Sequence, residues 1–138
     1  MHVFTYGTLM YPEVWRAVVG REFATVGGRA AGFAIYRVRD AVFPGIIAAT
    51  PRDAVRGVVY LDVDEASVDR LDRFEDGFYE RQQIVVAGED GRELVADSYV
   101  VPHARREVLT EEPWLAEEFV ARGDLARFIA SFAGFGRL

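Results

Sequence analysis

The sequence of 138 residues contains neither cysteine nor lysine, and all 16 of its basic residues are arginines. Without cysteine the chain has no thiol nucleophile, no disulfide and no thiolate ligand for a metal. Without lysine it has no amine for Schiff-base chemistry, and it lacks the lysine that a phosphate-binding P-loop requires. These absences exclude several large classes of enzyme.

Histidine and long apolar runs are scarce as well. The two histidines, His2 and His103, lie far apart and match no metal-ligand spacing, so we do not expect a zinc site. No apolar run approaches the roughly 20 residues that a bilayer-spanning helix needs. The N-terminus lacks the basic stretch and apolar segment of a signal peptide, which predicts a cytoplasmic protein.

The overall composition is that of an ordinary globular protein, with 51% hydrophobic and 28% charged residues. The length suits one domain that spans residues 1–138 and buries a single core. The net charge of −6 disfavours nucleic acid and anionic membranes as partners, because both require a basic surface. The composition leaves the oligomeric state open.

The periodicity of apolar residues predicts more strands than helices, with most strands joined by turns. Such a chain forms a mixed or antiparallel sheet, and we predict an α+β fold in which a small mixed β-barrel carries a few packed helices. The predicted strands are residues 2–6, 23–38 with a break at Gly27-Gly28, 46–49, 55–63, 79–87 and 93–101. The predicted helices are residues 12–19, residues 65–75 after an Asp64 cap, and a C-terminal helical region that Pro113 begins and Gly123 interrupts.

The first candidate site follows the first strand, at Tyr6-Gly7-Thr8-Leu9. A glycine turn between a strand and a helix start gathers free backbone N–H groups, and the helix dipole adds partial positive charge. Gly7 also lets a ligand approach the backbone closely. The segment therefore suits a carboxylate ligand. From spacing alone, the same residues are more typical of a plain turn between a strand and a helix.

The second candidate site is Glu75, which follows Phe74 at the end of the second predicted helix. A carboxylate beside apolar residues and at the negative end of a helix dipole has its ionised form disfavoured. This arrangement predicts a pKa raised towards neutrality, as a general acid/base requires. The alternative is an exposed acidic helix end.

The sequence predicts less specific roles for the residues around Glu75. Asp72, Asp76 and Glu80 are expected to be solvated, as charged side chains usually are. Tyr79 either faces the same pocket as Glu75 or belongs to the core. Phe43-Pro44-Gly45 is predicted to be a loop.

Taken together, these stretches resemble the γ-glutamylcyclotransferase-like superfamily, and most closely its AIG2-like branch. The shared motifs are a Tyr-Gly-(Ser/Thr)-Leu loop, a Leu-Asp-x-x-Glu segment and a following Tyr-x-Arg. In this chain they are residues 6–9, 71–75 and 79–81. The Phe43-Pro44-Gly45 segment and the C-terminal pattern of Trp114, Phe119 and Leu125 are similar too.

The resemblance implies a small barrel with a cavity at one end and a γ-glutamyl compound as the small-molecule substrate. It implies that backbone N–H groups of Gly7, Thr8 and Leu9 bind the α-carboxylate and that Glu75 is the catalytic acid/base. The implied reaction closes 5-oxoproline, releases an amine and requires neither a metal nor a cofactor. The binding residues that we predict on this basis are Tyr6, Gly7, Thr8, Leu9, Pro44 and Tyr79.

Two departures from the family pattern limit what the resemblance carries over. Many relatives have glycine directly after the glutamate, where this chain has Asp76. Some branches have asparagine in place of Leu9 and act on other γ-glutamyl compounds, so the identity of the substrate does not transfer. Two other functions remain open: a non-catalytic module that binds a small carboxylate or a protein, and a hydrolase or acyltransferase that uses Glu75.

Overall fold

The structure is a computed structural model that describes residues 1–75 and 77–131. Its eight strands form one mixed sheet, and five of them close into a barrel, which confirms the predicted fold class. In chain order the strands are β1 (Val3–Thr5), β2 (Thr25–Ala31), β3 (Phe33–Val38), β4 (Pro44–Ala48), β5 (Ala54–Tyr60), β6 (Glu80–Gly88), β7 (Glu93–Val100) and β8 (Leu109–Pro113).

One edge of β7 has two partners, and this arrangement organises the whole sheet. The barrel runs in the order β1-β5-β2-β6-β7, and β1 closes it by pairing in parallel with β7 at Asp97. Further along the same edge, β4 replaces β1 as the partner of β7, and Ile46 pairs in parallel with Val100. Strands β3 and β8 extend the sheet outward from β4. The chain of β1 must therefore leave β7 where β4 begins to pair.

Four helices pack around the sheet: α1 (Pro12–Val19), α2 (Glu65–Phe74), α3 (Ala116–Ala121) and α4 (Asp124–Ser131). The first two form a core layer with the outside of the barrel, in which Trp15 stacks on Tyr60 with ring centroids 3.6 Å apart. A separate cluster fills the barrel interior. Its buried members are Phe4, Tyr6, Ala30, Ile46, Val55, Val59, Ile84, Val86, Leu94, Ala96 and Val100.

The prediction of a strand break at Gly27-Gly28 was wrong. Both glycines pair within β2, and the chain turns at Gly32, where φ is +87°. A Cβ on Gly28 would lie 2.5 Å from Cγ1 of Val86. Gly28 is thus required by close packing inside the barrel rather than by a turn, and a single sequence does not distinguish these two uses of glycine.

Two predictions around prolines were also wrong. Pro44 and Gly45 begin β4 rather than forming a loop, which is compatible with proline because the first residue of a strand can lack an N–H donor. Pro113 ends β8, and the next helix begins at Ala116. Strand β8 was not predicted, since a 3-10 helix over His103–Val108 and a mostly exposed strand carry little apolar periodicity.

The helix predictions were closer to the structure. Helix α1 has the predicted bounds, and Gly123 separates α3 from α4 with φ of +75°. Asp64 occupies the cap position of α2, but its Oδ1 accepts from the Ser67 hydroxyl at 2.6 Å rather than from a backbone N–H. Helix α2 ends at Phe74, so Glu75 is the first extended residue after it.

None of the helices within residues 1–75 and 77–131 combines the length and the apolar character that a membrane span requires.

The packing of β5 on β1 leads to a stability prediction. A Cβ on Gly57 would lie 2.1 Å from the Thr5 carbonyl oxygen and 2.8 Å from the Phe4 ring. Because backbone cannot yield as a side chain does, we expect Gly57→Ala to lower the free energy of unfolding by about 1–3 kcal/mol or more. Urea denaturation measures this loss. Gly77→Ala is the matched control, since nothing lies within 4 Å of its added methyl; equal effects of the two would contradict the packing argument.

Candidate active site

A cavity of about 230 Å³ opens at the end of the barrel where β1 leaves β7 and β4 replaces it. This volume is below the roughly 300–1,000 Å³ of pockets for drug-sized ligands, so the cavity suits a small metabolite. The described residues that line it are Phe4, Thr5, Tyr6, Gly7, Thr8, Leu9, Phe43, Pro44, Phe74, Glu75, Tyr79, Tyr99 and Phe128.

The Tyr6-Gly7-Thr8-Leu9 loop has its hydrogen-bond acceptors occupied and its donors open. The carbonyl oxygens of Gly7 and Thr8 accept from the N–H groups of Met10 and Tyr11, at 3.0 and 3.2 Å. The Leu9 carbonyl accepts from the Tyr60 hydroxyl at 2.8 Å. Within residues 1–75 and 77–131, the N–H groups of residues 7–9 have no hydrogen-bond acceptor. A loop with spare donors and no spare acceptors suits an anion.

The helix that follows this loop differs from the predicted one. A 3-10 helix over Thr8–Met10 comes first, and α1 begins only at Pro12. The open donors therefore belong to the loop and the short 3-10 helix. The contribution expected from an α-helix dipole is correspondingly smaller, because that effect falls off beyond the first turn.

Gly7, Pro44 and Tyr79 are neighbours in the lining of the cavity, and Pro44 contacts the other two. A Cβ on Gly7 would lie 2.7 Å from Cγ and 2.8 Å from Cδ of Pro44, so only glycine lets the loop approach this ring. The Tyr79 hydroxyl donates to the Pro44 carbonyl oxygen at 2.6 Å. The position of the Tyr79 ring in the cavity thus depends on where β4 begins.

Glu75 lies at the C-terminal end of α2, and its backbone N–H donates to the Leu71 carbonyl at 3.0 Å. Its charge influences two tyrosines. Burial, and then the charge of Glu75, raise the pKa of Tyr6 well above its usual value, while hydrogen bonds to Ile46 and Tyr79 act the other way. The pKa of Tyr99 is raised by burial, by Asp72 and also by Glu75. Both phenols are therefore neutral at physiological pH.

The protons of three cavity phenols are already donated within the protein. Tyr6 donates to the Tyr99 carbonyl at 2.6 Å, Tyr79 to Pro44, and Tyr99 to Oδ1 of Asp72 at 2.6 Å. Each phenol oxygen keeps lone pairs after donating its proton. The Tyr6 oxygen is also engaged in hydrogen bonds with Ile46 and Tyr79, so the carboxylate of Glu75 is the lining group that best suits a cationic group such as an ammonium.

Asp72 is exposed, as expected, but it also has a structural role that was not predicted. Besides the Tyr99 hydroxyl, its Oδ1 accepts from Nε of Arg81 at 3.0 Å. Arg81 also donates to Asp97 at 2.8 Å, so this group ties the end of α2 to β6 and β7. Asp72 lies about one helical turn before Glu75. Its ion pair with Arg81 therefore helps to fix the end of α2, where Glu75 lies. Sequence reasoning missed this role because the partners come from three separate segments.

The outer part of the cavity is aromatic. Phe43, Phe74 and Phe128 line it and are half-buried, whereas the loop residues and Tyr99 at the inner end are buried. The rings of Phe43 and Phe128 have centroids 6.4 Å apart. Glu75 and Tyr79 are half-buried as well, so the outer part combines three apolar rings with these two polar side chains, while the inner end carries the donors of the loop.

All seven residues that the sequence predicts as site residues line this one cavity: Tyr6, Gly7, Thr8, Leu9, Pro44, Glu75 and Tyr79. Their individual roles stay predictions. Sequence reasoning did not identify Tyr99, Phe43 or Phe128 as cavity residues. Their positions in an apolar strand, a turn and a helix face are typical of core residues. Asp76 lies outside the described residues.

The two histidines do not form a metal site with their surroundings. In the described part of the chain, no group of three or more histidine or carboxylate side chains could hold a metal ion. His2 accepts at Nδ1 from the Asp62 N–H at 3.2 Å.

Comparison with known proteins identifies the family. The sequence pattern of the family described as "Gamma-glutamyl cyclotransferase, AIG2-like" matches residues 3–116. The chain therefore belongs to this family, as its motifs predict. "AIG2-like protein D" from Arabidopsis thaliana is 33% identical over 103 residues, which are 72% of this chain and 67% of that protein. Matches to two other AIG2-type proteins of this plant span only 60% and 57% of their lengths.

Solved structures show the same fold. A solution structure of another Arabidopsis thaliana protein matches with a TM-score of 0.70 and 26% identity, covering 97% of this chain and 89% of that one. A yeast protein described as a γ-glutamyl cyclotransferase specific to glutathione matches with a TM-score of 0.61, covering 81% of this chain and 73% of that one. Its identity of 16% means that this likeness concerns the fold alone.

The Asp72–Tyr99 hydrogen bond leads to a second stability prediction. Tyr99→Phe removes a donor to a charged acceptor, and we expect it to lower the free energy of unfolding by about 1.5–3 kcal/mol. In an Asp72→Asn background the same change is expected to cost less, because the charge-assisted bond is already gone. Urea denaturation of the wild type, Tyr99→Phe, Asp72→Asn and the double variant gives the coupling free energy between the two side chains. Tyr36→Phe is the control, since its hydroxyl makes no hydrogen bond within the described residues; an additive cycle would contradict the prediction.

Tyr60 predicts how stability depends on pH. Burial, and then the charge of Glu13, raise the pKa of Tyr60 from 10.0 to about 12. Because the pKa is raised in the folded protein, the tyrosine of the unfolded chain ionises first as the pH rises. The contribution of Tyr60 to the free energy of unfolding is therefore complete below pH 10 and is lost as the pH rises towards 12. We expect the wild type to lose about 1.4 kcal/mol more per pH unit above 10 than Tyr60→Phe does. Urea denaturation across this range tests it; parallel pH profiles would refute the assignment.

Proposed function

We propose that the protein is a γ-glutamyl cyclotransferase, which converts a γ-glutamyl amine or peptide into 5-oxoproline and a free amine. The observation that carries this proposal is the placement of Glu75 and the donor-rich loop of residues 7–9 on one small cavity. Family membership and the likeness to a yeast γ-glutamyl cyclotransferase support it.

The substrate is oriented by its two charged groups. Its α-carboxylate lies on the N–H groups of Gly7, Thr8 and Leu9, which have no acceptor within the described residues. Its α-ammonium faces the carboxylate of Glu75, between the rings of Tyr6 and Tyr79 that line the same cavity. This orientation folds the glutamyl chain so that the α-nitrogen approaches the γ-carbonyl carbon.

Glu75 moves the proton that the reaction requires. The carboxylate takes a proton from the α-ammonium, and the freed amine attacks the γ-carbonyl carbon to form the ring C–N bond. Glu75 returns this proton to the leaving nitrogen as the bond from the γ-carbon to that nitrogen breaks. The ring nitrogen gives up its second extra proton to the departing amine, which leaves as an ammonium. The sum of these steps is one γ-glutamyl compound giving one 5-oxoproline and one amine, with no water consumed.

This chemistry agrees with the residues that the chain lacks. The nucleophile belongs to the substrate, so neither a cysteine nor a lysine is needed. Because the attack is intramolecular, the protein contributes chiefly by holding a near-attack geometry and by transferring the proton. General acid–base catalysis contributes typically about 10²–10⁴-fold to the rate.

The test is a panel of γ-glutamyl amines, γ-glutamyl dipeptides and glutathione, assayed for 5-oxoproline. We expect product with at least one compound, and a loss of about 10²–10⁴-fold in kcat in Glu75→Gln, because the amide cannot accept the proton. Glu65→Gln, at the exposed other end of the same helix, is the control and should keep full activity.

The other outcomes distinguish the competing functions. Binding of γ-glutamyl compounds without any 5-oxoproline would favour a non-catalytic module that binds small carboxylates. Release of free glutamate in place of 5-oxoproline would favour a hydrolase. Activity that survives in Glu75→Gln would remove Glu75 from the mechanism.

A further inference from the structure

The inner and outer ends of the cavity differ in chemistry, and this difference bears on the leaving group. Buried donors and hydroxyl oxygens stand at the inner end, from the loop of residues 6–9 and Tyr99. The half-buried lining residues are the rings of Phe43, Phe74 and Phe128 together with Glu75 and Tyr79. A γ-glutamyl head bound at the polar end directs the group on its γ-nitrogen towards these rings.

Part of the aromatic wall comes from outside the family's common sequence pattern. That pattern ends at residue 116, whereas Phe128 belongs to α4 (Asp124–Ser131). The Phe128 ring packs at 6.1 Å from Phe119 and 6.4 Å from Phe43, and Phe119 packs at 5.5 Å from Trp114. This aromatic chain seats α4 on the outer end of the cavity. The segment is thus placed where it can distinguish one leaving group from another.

The charge of Glu75 counts against an anionic leaving group, and the apolar rings of the outer wall count against a buried charge of either sign. Among the described lining residues, Glu75 is the one charged side chain. A leaving amino acid or dipeptide would bring its own carboxylate near Glu75, and like charges in a half-buried site repel. An apolar ring would instead pack on three phenylalanines, as aromatic groups do in offset or edge-to-face arrangements.

We propose that the γ-nitrogen of the substrate carries an uncharged apolar group, of the arylalkyl-amine class, and that Phe128 of α4 selects it. The inference rests on the proposed function, because it assumes that the γ-glutamyl head occupies the inner end. It adds that the leaving product is an apolar primary amine rather than an amino acid or a peptide.

Four ligands separate the contributions of the ring and of the charges. The γ-glutamyl amide of phenethylamine and γ-glutamyl-phenylalanine share the ring and differ by one carboxylate. The γ-glutamyl amide of methylamine lacks the ring, and that of putrescine carries a second ammonium. Calorimetry on the wild type and on Glu75→Gln measures affinity without requiring turnover. We expect the phenethylamine compound to bind about tenfold or more tightly than each of the others.

Variants then locate the selectivity in α4. In Phe128→Ala, the preference for the phenethylamine over the methylamine compound should fall towards one. Phe128→Arg should shift the preference towards γ-glutamyl-phenylalanine, because the guanidinium can pair with its carboxylate. Phe43→Ala removes a second wall ring on a different element, so the test does not depend on α4 staying in place. Val120→Ala, at an exposed position on α3, is the control.

The results separate this inference from the proposed function. Tight binding of the phenethylamine compound with no 5-oxoproline would support the leaving-group selectivity and count against the cyclotransferase reaction. Turnover with γ-glutamyl-phenylalanine or the putrescine compound preferred would support the reaction and overturn the selectivity. Unchanged preferences in both Phe128→Ala and Phe43→Ala, or no binding of any of the four ligands, would also overturn it.

Discussion

The cavity exists because the edge of β7 can pair with only one neighbouring strand at a time. Each residue offers one N–H and one carbonyl, so β1 must leave β7 where β4 takes over, between Asp97 and Val100. The departing chain of β1 carries Tyr6 and Gly7, and the arriving strand begins at Pro44. The gap between the two strands is lined by backbone that no longer belongs to a sheet ladder. This gap is the small cavity, and the other elements supply its walls.

Hydrogen bonds inside the protein then decide what the cavity can bind. Tyr60 and two backbone amides occupy the carbonyl oxygens of residues 7–9, which leaves donors facing the cavity. Tyr6, Tyr79 and Tyr99 donate their hydroxyl hydrogens within the protein, and the Glu75 carboxylate is the charged group among the described lining residues. Donors on one wall and a carboxylate on another match a zwitterionic α-amino acid head. The polarity of the site is thus set by bonds that its residues make away from the ligand.

The site also joins a part of the chain that follows the family's common pattern and a part that does not. The loop, Glu75 and the ion pairs of Asp72 with Arg81 lie within residues 3–116. Helix α4 lies beyond them, and its Phe128 contacts the outer end of the cavity. The family's common part thus supplies the loop and Glu75, and the added helix supplies one aromatic ring of the same cavity.

Much of the local structure could be predicted from the sequence. Alternating apolar residues and glycine turns indicated the strands, Pro12 and Asp64 marked helix starts, and the missing cysteine and lysine restricted the chemistry. The motifs indicated which seven residues line the site. The roles of Gly28, Pro44 and Pro113 could not be predicted, because glycine and proline serve both turns and close packing, and only neighbouring strands distinguish these uses. Tertiary structure alone placed Asp72, Tyr99 and Phe128 at the site, since their partners lie between 9 and 85 residues away in the chain and pair only when the barrel closes.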